Sequence, residues 1–319
     1  MTAGDHTGDV VVLRALGLGD LLAGVPALRA VRRHFAAGLV TLCTNRHLLP
    51  LAMLADVADA VLPVEPFSLG PLPPLPCDVA VNLHGRGPQS TRRLLERKPQ
   101  RLLAFRHPGI PETDGGPAWR DDEHEVIRWC RLLHAHGIAS SPGDLHLAPP
   151  DMAPRVAAAT VIHPGAAAGA RRWPAARFAD VARRLHASGH RVVVTGGAAE
   201  SALTLDICSL AGLPRGANLA GATDVLALAA LVSDARLVVS GDTGVAHLAT
   251  AYERPSVVLF GPTSPARWGP PVRPWHRVLW AGTTGDAHGA EIDHGLTSIT
   301  VESVMQAVQE ALSAHSVSH

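Results

Sequence analysis

The sequence predicts an α/β protein built from two doubly wound parallel sheets. Three observations carry this. Short apolar runs alternate with stretches of helical periodicity along the whole chain. Glycine-rich turns follow the apolar runs, where a strand hands over to a helix. The pattern then breaks at a Pro/Gly/Ser-rich stretch, "ASSPGDLHLAPPDMAP", and starts again after it, as an interdomain linker would make it do. The 319 residues suffice for two domains of ordinary size.

The first half opens with "VVLRALGLGDLLAGVPALRAVRRHF". Val10 to Leu13 reads as a strand. Gly17 and Gly19 break it, and a helix runs from about Asp20, with Leu21, Val25, Leu28 and Val31 near helical spacing. A strand at Leu39 to Cys43, a helix at Leu48 to Ala55 and a strand at Ala60 to Val64 follow. Phe67 to Pro76 is rich in Pro and Gly and reads as a loop. A strand at Asp78 to Asn82 ends in "NLHGRGPQS", and helices are expected at Thr91 to Arg97 and Asp122 to His136.

The second half repeats the scheme. Strand Ala159 to His163 leads through a Gly-rich loop to a helix from Pro174. Strand Arg191 to Thr195 ends in Gly196-Gly197, before a helix from about Ala199. A helix at Val225 to Val232 precedes strand Leu237 to Ser240, the run Gly-Asp-Thr-Gly and a helix to Ala251. Strand Ser256 to Phe260 comes next. The last helix, about Val301 to Ala314, carries Val304, Val308, Ala311 and Leu312 as an apolar stripe. Ligands of such sheets bind beyond the carboxyl ends of the strands, and two of them facing each other would form a cleft.

Composition excludes several classes. The chain is 47% hydrophobic and 18% charged, as in a globular protein with a large core. Lys plus Arg and Asp plus Glu are both 28, which argues against nucleic acid as a partner. Residues 1–150 taken alone also balance, which points away from a heavily phosphorylated ligand; Arg86, Arg92, Arg93, Arg97 and Lys98 are a candidate local patch or a solvated helix face. The cysteines, Cys43, Cys77, Cys130 and Cys208, are widely spaced and form no CxxC, as expected of reduced thiols in the cytoplasm. The polar start MTAGDHTGD is no signal peptide, and no apolar run is long enough for an integral membrane segment. Eighteen histidines, among them His6, His134, His136, His315 and His319, invite a metal, yet no HExxH, metal-ligand spacing or Asp-x-Asp occurs. No metal and no cofactor are expected.

Candidate sites lie at the turns. "HPGAAAGARRWP" follows a strand, is small enough around Gly165 to expose backbone N–H groups, and brings Arg171 and Arg172 to a helix start, as an anion site requires. "VVSGDTGVAHLATA" places Asp242, Thr243 and Gly244 at another helix start, with His247 a turn later. Asp242 or Thr243 can be a plain N-cap there, or the turn can hold a diphosphate. Glu200 after "TGG" is a helix-dipole partner or an acceptor for a ribose diol. Asp20 is the odd one, a fixed negative charge at a helix start that would repel phosphate. The plain reading is a helix cap.

These loops, in this order, resemble glycosyltransferase family 9, the heptosyltransferases. "VVSGDTGVAHLATAYERPSVVLFGPTSPARW", the opening Gly-Asp turn, "HEVIRWCRLLHAHGI" and "ITVESVMQAVQEAL" extend the resemblance from Val10 to Leu312. It implies a GT-B fold: an acceptor domain over 1–150, a nucleotide-sugar domain over 151–300, and a helix at 301–319 packing back toward the first domain. It implies inverting, metal-independent transfer, with ADP-heptose as donor and a glycan, lipid-linked or natural-product hydroxyl as acceptor. Asp20 falls on the general base, Arg171 on a diphosphate contact where the family usually has Lys, and Glu200 on the ribose-binding acid. Asp242, Thr243, Gly244 and His247 fall on the sugar- and phosphate-binding turn, with Gly165 on the donor loop. Gly19, His84 and Arg86 fall on the acceptor side. "NLHGRGPQS" matches the family's Asp-x-Gln-Gly-x-x-Lys-Ser loosely, Asn82 and His84 replacing the acid and the Gln. A nucleotide-sugar epimerase of similar architecture and a non-catalytic nucleotide-sugar binder are the alternatives.

Overall fold

The structure, a computed structural model, describes residues 8–65, 72 and 74–318. The first seven residues with His6, most of the Phe67–Pro76 loop, and His319 lie outside the described residues. The chain divides into two compact units, Met1–Leu147 and Ala148–His319, the division falling inside the Pro/Gly-rich stretch.

The first unit runs β1 (Val10–Leu13), α1 (Leu18–His34), β2 (Val40–Thr44), α2 (Leu49–Leu54), β3 (Ala60–Pro63), β4 (Val79–Asn82), α3 (Gln89–Leu95), β5 (Arg101–Leu103) and α4 (Glu125–Ala135). The strands form one parallel sheet in the order β3-β2-β1-β4-β5. β1, β2 and β4 are buried along their whole length. That is why they read as unbroken apolar runs rather than alternating ones. α1 packs against α4, and its buried residues include Leu21, Leu22, Val25, Leu28 and Val31.

The second unit contains β6 (Thr160–His163), α5 (Ala175–Ala187), β7 (Val192–Val194), α6 (Ser201–Ala211), α7 (Val225–Ser233), β8 (Leu237–Gly241), α8 (Gly244–Ala251), β9 (Ser256–Phe260), α9 (Pro265–Trp268), β10 (His276–Trp280), α10 (His294–Ser298) and α11 (Val301–Ser318). Its sheet is again parallel, in the order β10-β9-β8-β6-β7. In each unit the chain winds outward from a point where the strand order reverses, β1/β4 in the first and β6/β8 in the second. The carboxyl ends of strands at such a point leave a crevice for a ligand.

Two strands escaped the sequence reading, β5 and β10. Both are edge strands, and each carries an arginine, Arg101 and Arg277. A half-buried edge need not be uniformly apolar, so the run that betrays a central strand is missing. The last helix, α11, contributes to the second unit. Val301, Val304, Ala307 and Val308 of α11 join Ile162, Phe178, Val239 and Val257 in the second unit's own core. α11 packs on α5, β9 and β10. Its apolar stripe is buried where the nearest uncovered sheet face lies.

Candidate functional site

The second unit builds its site from three loops at the carboxyl ends of β6, β7 and β8. His163 and Ser240 pair across the β6/β8 corner, which puts the loop after His163 beside the turn after Gly241. Arg171 closes a single helical turn, Gly169–Arg171, on the first loop. That turn is pinned from outside: Ala170 N–H donates to Gly289 O at 3.0 Å, and Asp293 N–H donates to Ala170 O at 3.2 Å. Arg171 Nη1 reaches the Asp242 carbonyl at 3.5 Å, while its buried Nε has no hydrogen-bond partner. Thr243 is the N-cap of α8, yet its side chain does not cap the helix, and its buried Oγ1 has no partner. Ser240 Oγ on β8 is likewise buried without a partner. Arg171, Asp242, Thr243 and Gly244 are thus together, at a helix N-terminus with unused backbone N–H groups.

Glu200 lies on the β7 side of the same unit. Its Oε2 accepts from Gly197 N–H at 2.8 Å, a capping contact at the start of the turn Ala198–Glu200. A Cβ on Gly165 would collide with the Glu200 carboxylate. The absence of a side chain at 165 is what lets the loop after β6 and Glu200 come together. Beside them is a cavity of about 160 Å³ lined by His163, Thr195, Gly196, Gly197, Thr223, Asp224, Val225 and Leu228. His163 Nδ1 is 3.0 Å from Thr195 Oγ1, and burial holds its ring below the usual histidine range, against the pull of Glu200. The His247 ring lies edge-on to Trp268, with centroids 5.9 Å apart.

The first unit gathers a different group. Gly17 is the N-cap of α1 and Asp20 its third residue, with Asp20 Oδ2 accepting from Gly17 N–H at 3.1 Å. The cap uses one carboxylate oxygen. Gly19 lies in the same turn. Burial raises the Asp20 carboxyl above its ordinary value; Arg14 opposes that and Glu125 adds to it. His84 follows β4, and its Nδ1 accepts from Ala15 N–H at 3.1 Å, which leaves Nε2 as the protonated nitrogen. Burial, with Arg14 nearby, pushes His84 down to about 4, so the ring is neutral near pH 7. Asn82 carries His84 in turn: its Oδ1 accepts from His84 N–H at 3.0 Å, and its Nδ2 donates to Ser90 and Thr91. Arg86 is exposed on the turn beyond and does not join this group.

Sequence reasoning missed Arg14, Glu125, His163 and Thr195. Arg14 had a signal, a charge set against the end of an apolar run. Glu125 had only a local one, Arg128 and Trp129 three and four residues on, while its link to Arg14 spans 111 residues.

Among the described residues no helix is long and apolar enough to cross a membrane, no cluster of His, Cys, Asp or Glu could hold a metal ion, and the four cysteines are free thiols.

The chain resembles known proteins over most of its length. It is 31% identical over 168 residues to lipopolysaccharide heptosyltransferase 2 of Salmonella typhimurium, covering 48% of this chain and 47% of that relative. The match therefore spans about half the length of the curated relative. The fold superposes on the structure of E. coli ADP-heptose lps heptosyltransferase II with TM-score 0.78 at 21% identity, over 97% of this chain and 99% of that one. E. coli heptosyltransferase WaaC with ADP gives TM-score 0.69 at 17% identity, over 95% and 99% of the two chains. The sequence pattern of glycosyltransferase family 9 (heptosyltransferase) matches residues 117–293, more than half of the chain. This protein belongs to glycosyltransferase family 9, the heptosyltransferases.

Proposed function

We propose that the protein transfers a heptosyl group from ADP-heptose to an acceptor hydroxyl, with inversion and without a metal ion. The observation that carries this is the set of polar atoms left over at the β6/β8 corner. Arg171 Nε, Thr243 Oγ1 and Ser240 Oγ are buried without partners, beside the N-terminus of α8. A buried polar group without a partner costs about 1–3 kcal/mol, and a diphosphate would satisfy all three. ADP in the solved heptosyltransferase WaaC is consistent with such a ligand.

The donor is then held as follows. The α8 N-terminus and the Arg171 guanidinium neutralise the diphosphate, which is the work a metal ion does elsewhere. Glu200, fixed by Gly197, accepts from the ribose hydroxyls. Asp242 and His247 border the sugar. For inversion, the acceptor oxygen attacks the anomeric carbon from the side opposite the diphosphate. The new C–O bond forms as the bond to the β-phosphate oxygen breaks, and ADP leaves with that electron pair. The hydroxyl proton passes to a carboxylate, for which Asp20 is the candidate. Its raised pKa moves it toward the range of an efficient general base. His84, neutral and protonated on Nε2, can donate a hydrogen bond to the acceptor, with Gly19 in the Asp20 turn beside it; Arg86 stands outside this group. The acceptor is a hydroxyl of a glycan, a lipid-linked sugar or a natural product, met in the cytoplasm. The free cysteines support that setting.

The test is incubation with ADP-heptose and fractionated acceptor extracts, following ADP release and product mass in parallel. A mass increase of one heptose with stoichiometric ADP, undiminished by EDTA, is the expected result. An altered sugar with no net ADP release would establish an epimerase instead, and ADP-heptose binding without turnover in any fraction would establish a binder. Loss of turnover in EDTA with rescue by Mg²⁺ would overturn the metal-independent reading.

A further inference from the structure

Arg14 is fully buried, the last place an unneeded cation would be kept. Its side chain ties together the turns that follow β1 and β4 and the start of α4. Its Nε donates to the Asp20 carbonyl at 2.6 Å. Its Nη1 donates to the Leu83 carbonyl, one residue before His84. Its Nη2 donates to Glu125 Oε1 at 3.3 Å. The guanidinium also lies over the Trp129 ring, 4.9 Å from its centroid. Gly24 on α1 makes this possible, because a Cβ there would stand 2.5 Å from Arg14 Nε.

Glu125 is held just as firmly. Trp129 Nε1 donates to its Oε1 at 2.7 Å, and Arg128 Nη1 donates to its Oε2. Arg128 is in turn bound to the carbonyls of Arg120 and Glu123 at 2.9 Å each and lies over the Trp119 ring. The carboxylate at the start of α4 is therefore a fixed charge. Arg14 transmits its position to the two turns that carry Asp20 and His84.

We propose that Arg14 and Glu125 are a positioning pair for the transfer: a fixed cation and a fixed anion, joined through the guanidinium fork, that hold the Asp20 turn and the residue preceding His84. This rests on the reading of Asp20 as the base. The pair acts on geometry and on charge at once. The groups that face Asp20 are Arg14 on the β1 end, Glu125 on α4, the Gly17 N–H of its own turn, and neutral His84 beyond Arg14. Arg14 favours the ionised carboxylate and Glu125 disfavours it. A residue that merely filled space would move Asp20's titration in neither direction.

The experiment is a carbon-13 carboxyl NMR titration with parallel turnover and ADP calorimetry. The Asp20 signal is the one missing in Asp20→Asn. Glu125→Gln moves its midpoint to lower pH and Arg14→Gln moves it to higher pH. Both variants lose tenfold or more in kcat, to order of magnitude, while ADP affinity stays within about twofold, because the diphosphate is held by the other unit. An Asp20 midpoint unmoved in both variants overturns the pair. Should either variant lose its near-ultraviolet circular dichroism, Arg14→Lys decides: it keeps the cation but not the fork. Its kcat falls while the midpoint stays near that of the parent, and an unchanged kcat overturns the proposal. Full turnover in Asp20→Asn overturns the general-base reading and with it the purpose of the pair. An inactive Asp20→Asn with immobile midpoints overturns the pair alone.

Discussion

In the first unit the corner between β1 and β4 is closed by its own charges, whereas in the second the corner between β6 and β8 leaves polar atoms over. Arg14 spends its fork on Asp20, Leu83 and Glu125. Arg171, in the equivalent crevice of the other sheet, reaches only a carbonyl at 3.5 Å and keeps a buried Nε unbonded. The same architecture therefore serves two ends. A fully paired buried guanidinium makes a rigid seat, because breaking any one bond strands a charge. An under-paired one makes a binding site, because the missing partner can be a ligand. The contrast supports the proposal that the second unit binds the anion and the first places a single carboxylate.

Asp20→Asn breaks the comparison most severely if it is right. It keeps shape and capping ability, so it should fold and bind ADP as the parent does, yet lose roughly a hundredfold or more in turnover. Turnover within a few-fold of the parent would reduce Asp20 to a cap, whose removal costs stability of about 0.5–2 kcal/mol and little chemistry.

Arg171→Ala tests the other corner. Charge-assisted hydrogen bonds contribute roughly 1.5–3 kcal/mol, so ADP affinity should fall about ten- to a hundredfold. Calorimetry that finds it unchanged would leave the orphaned Nε without a purpose.

Gly165→Ala sharpens the picture of the donor loop. The added methyl meets the Glu200 carboxylate, which must leave Gly197 or push the loop away. ADP binding should weaken several-fold, and binding of inorganic pyrophosphate, which has no ribose, should weaken less. Equal losses for the two ligands would separate Glu200 from the ribose.

The smallest effect is on stability against pH, and it is shared by both units. Burial pushes His84 and His276 down to about 4 from 6.5. Arg14 adds to the effect at His84; Arg273 and His315 add to it at His276. Between those values the unfolded chain takes up protons that the folded chain refuses, so stability falls as pH drops from about 6.5 toward about 4. His84→Gln and His276→Gln should each flatten the fall of melting temperature through that window, and unaltered pH profiles in both would exclude the two rings as its source.

Much of this was legible in the residues. The central strands announced themselves as apolar runs because a parallel sheet covered on both faces leaves no polar position. The loops announced themselves because turns into helices need glycine and small residues. Asp20, Glu200 and Arg171 were visible because charges at such turns ask for a reason. The edge strands β5 and β10 were hidden by their arginines. His163 was quoted as the head of a loop, yet nothing local tied it to Thr195, which lies 32 residues away.

The sequence by itself determined the class of the fold, the two-part organisation, and the turns at which ligands are to be sought, because these depend on periodicity and local backbone demands. Only the tertiary structure decided which of the charges at those turns are already paired. Arg14 directly follows a strand and Arg171 precedes a helix, and nothing in either local sequence tells which is paired. One lies 111 residues from the Glu125 that neutralises it, and the other has no such partner among the described residues. Pairing is a property of distances across the fold, and in a winding sheet those distances are set by strand order rather than by position along the chain.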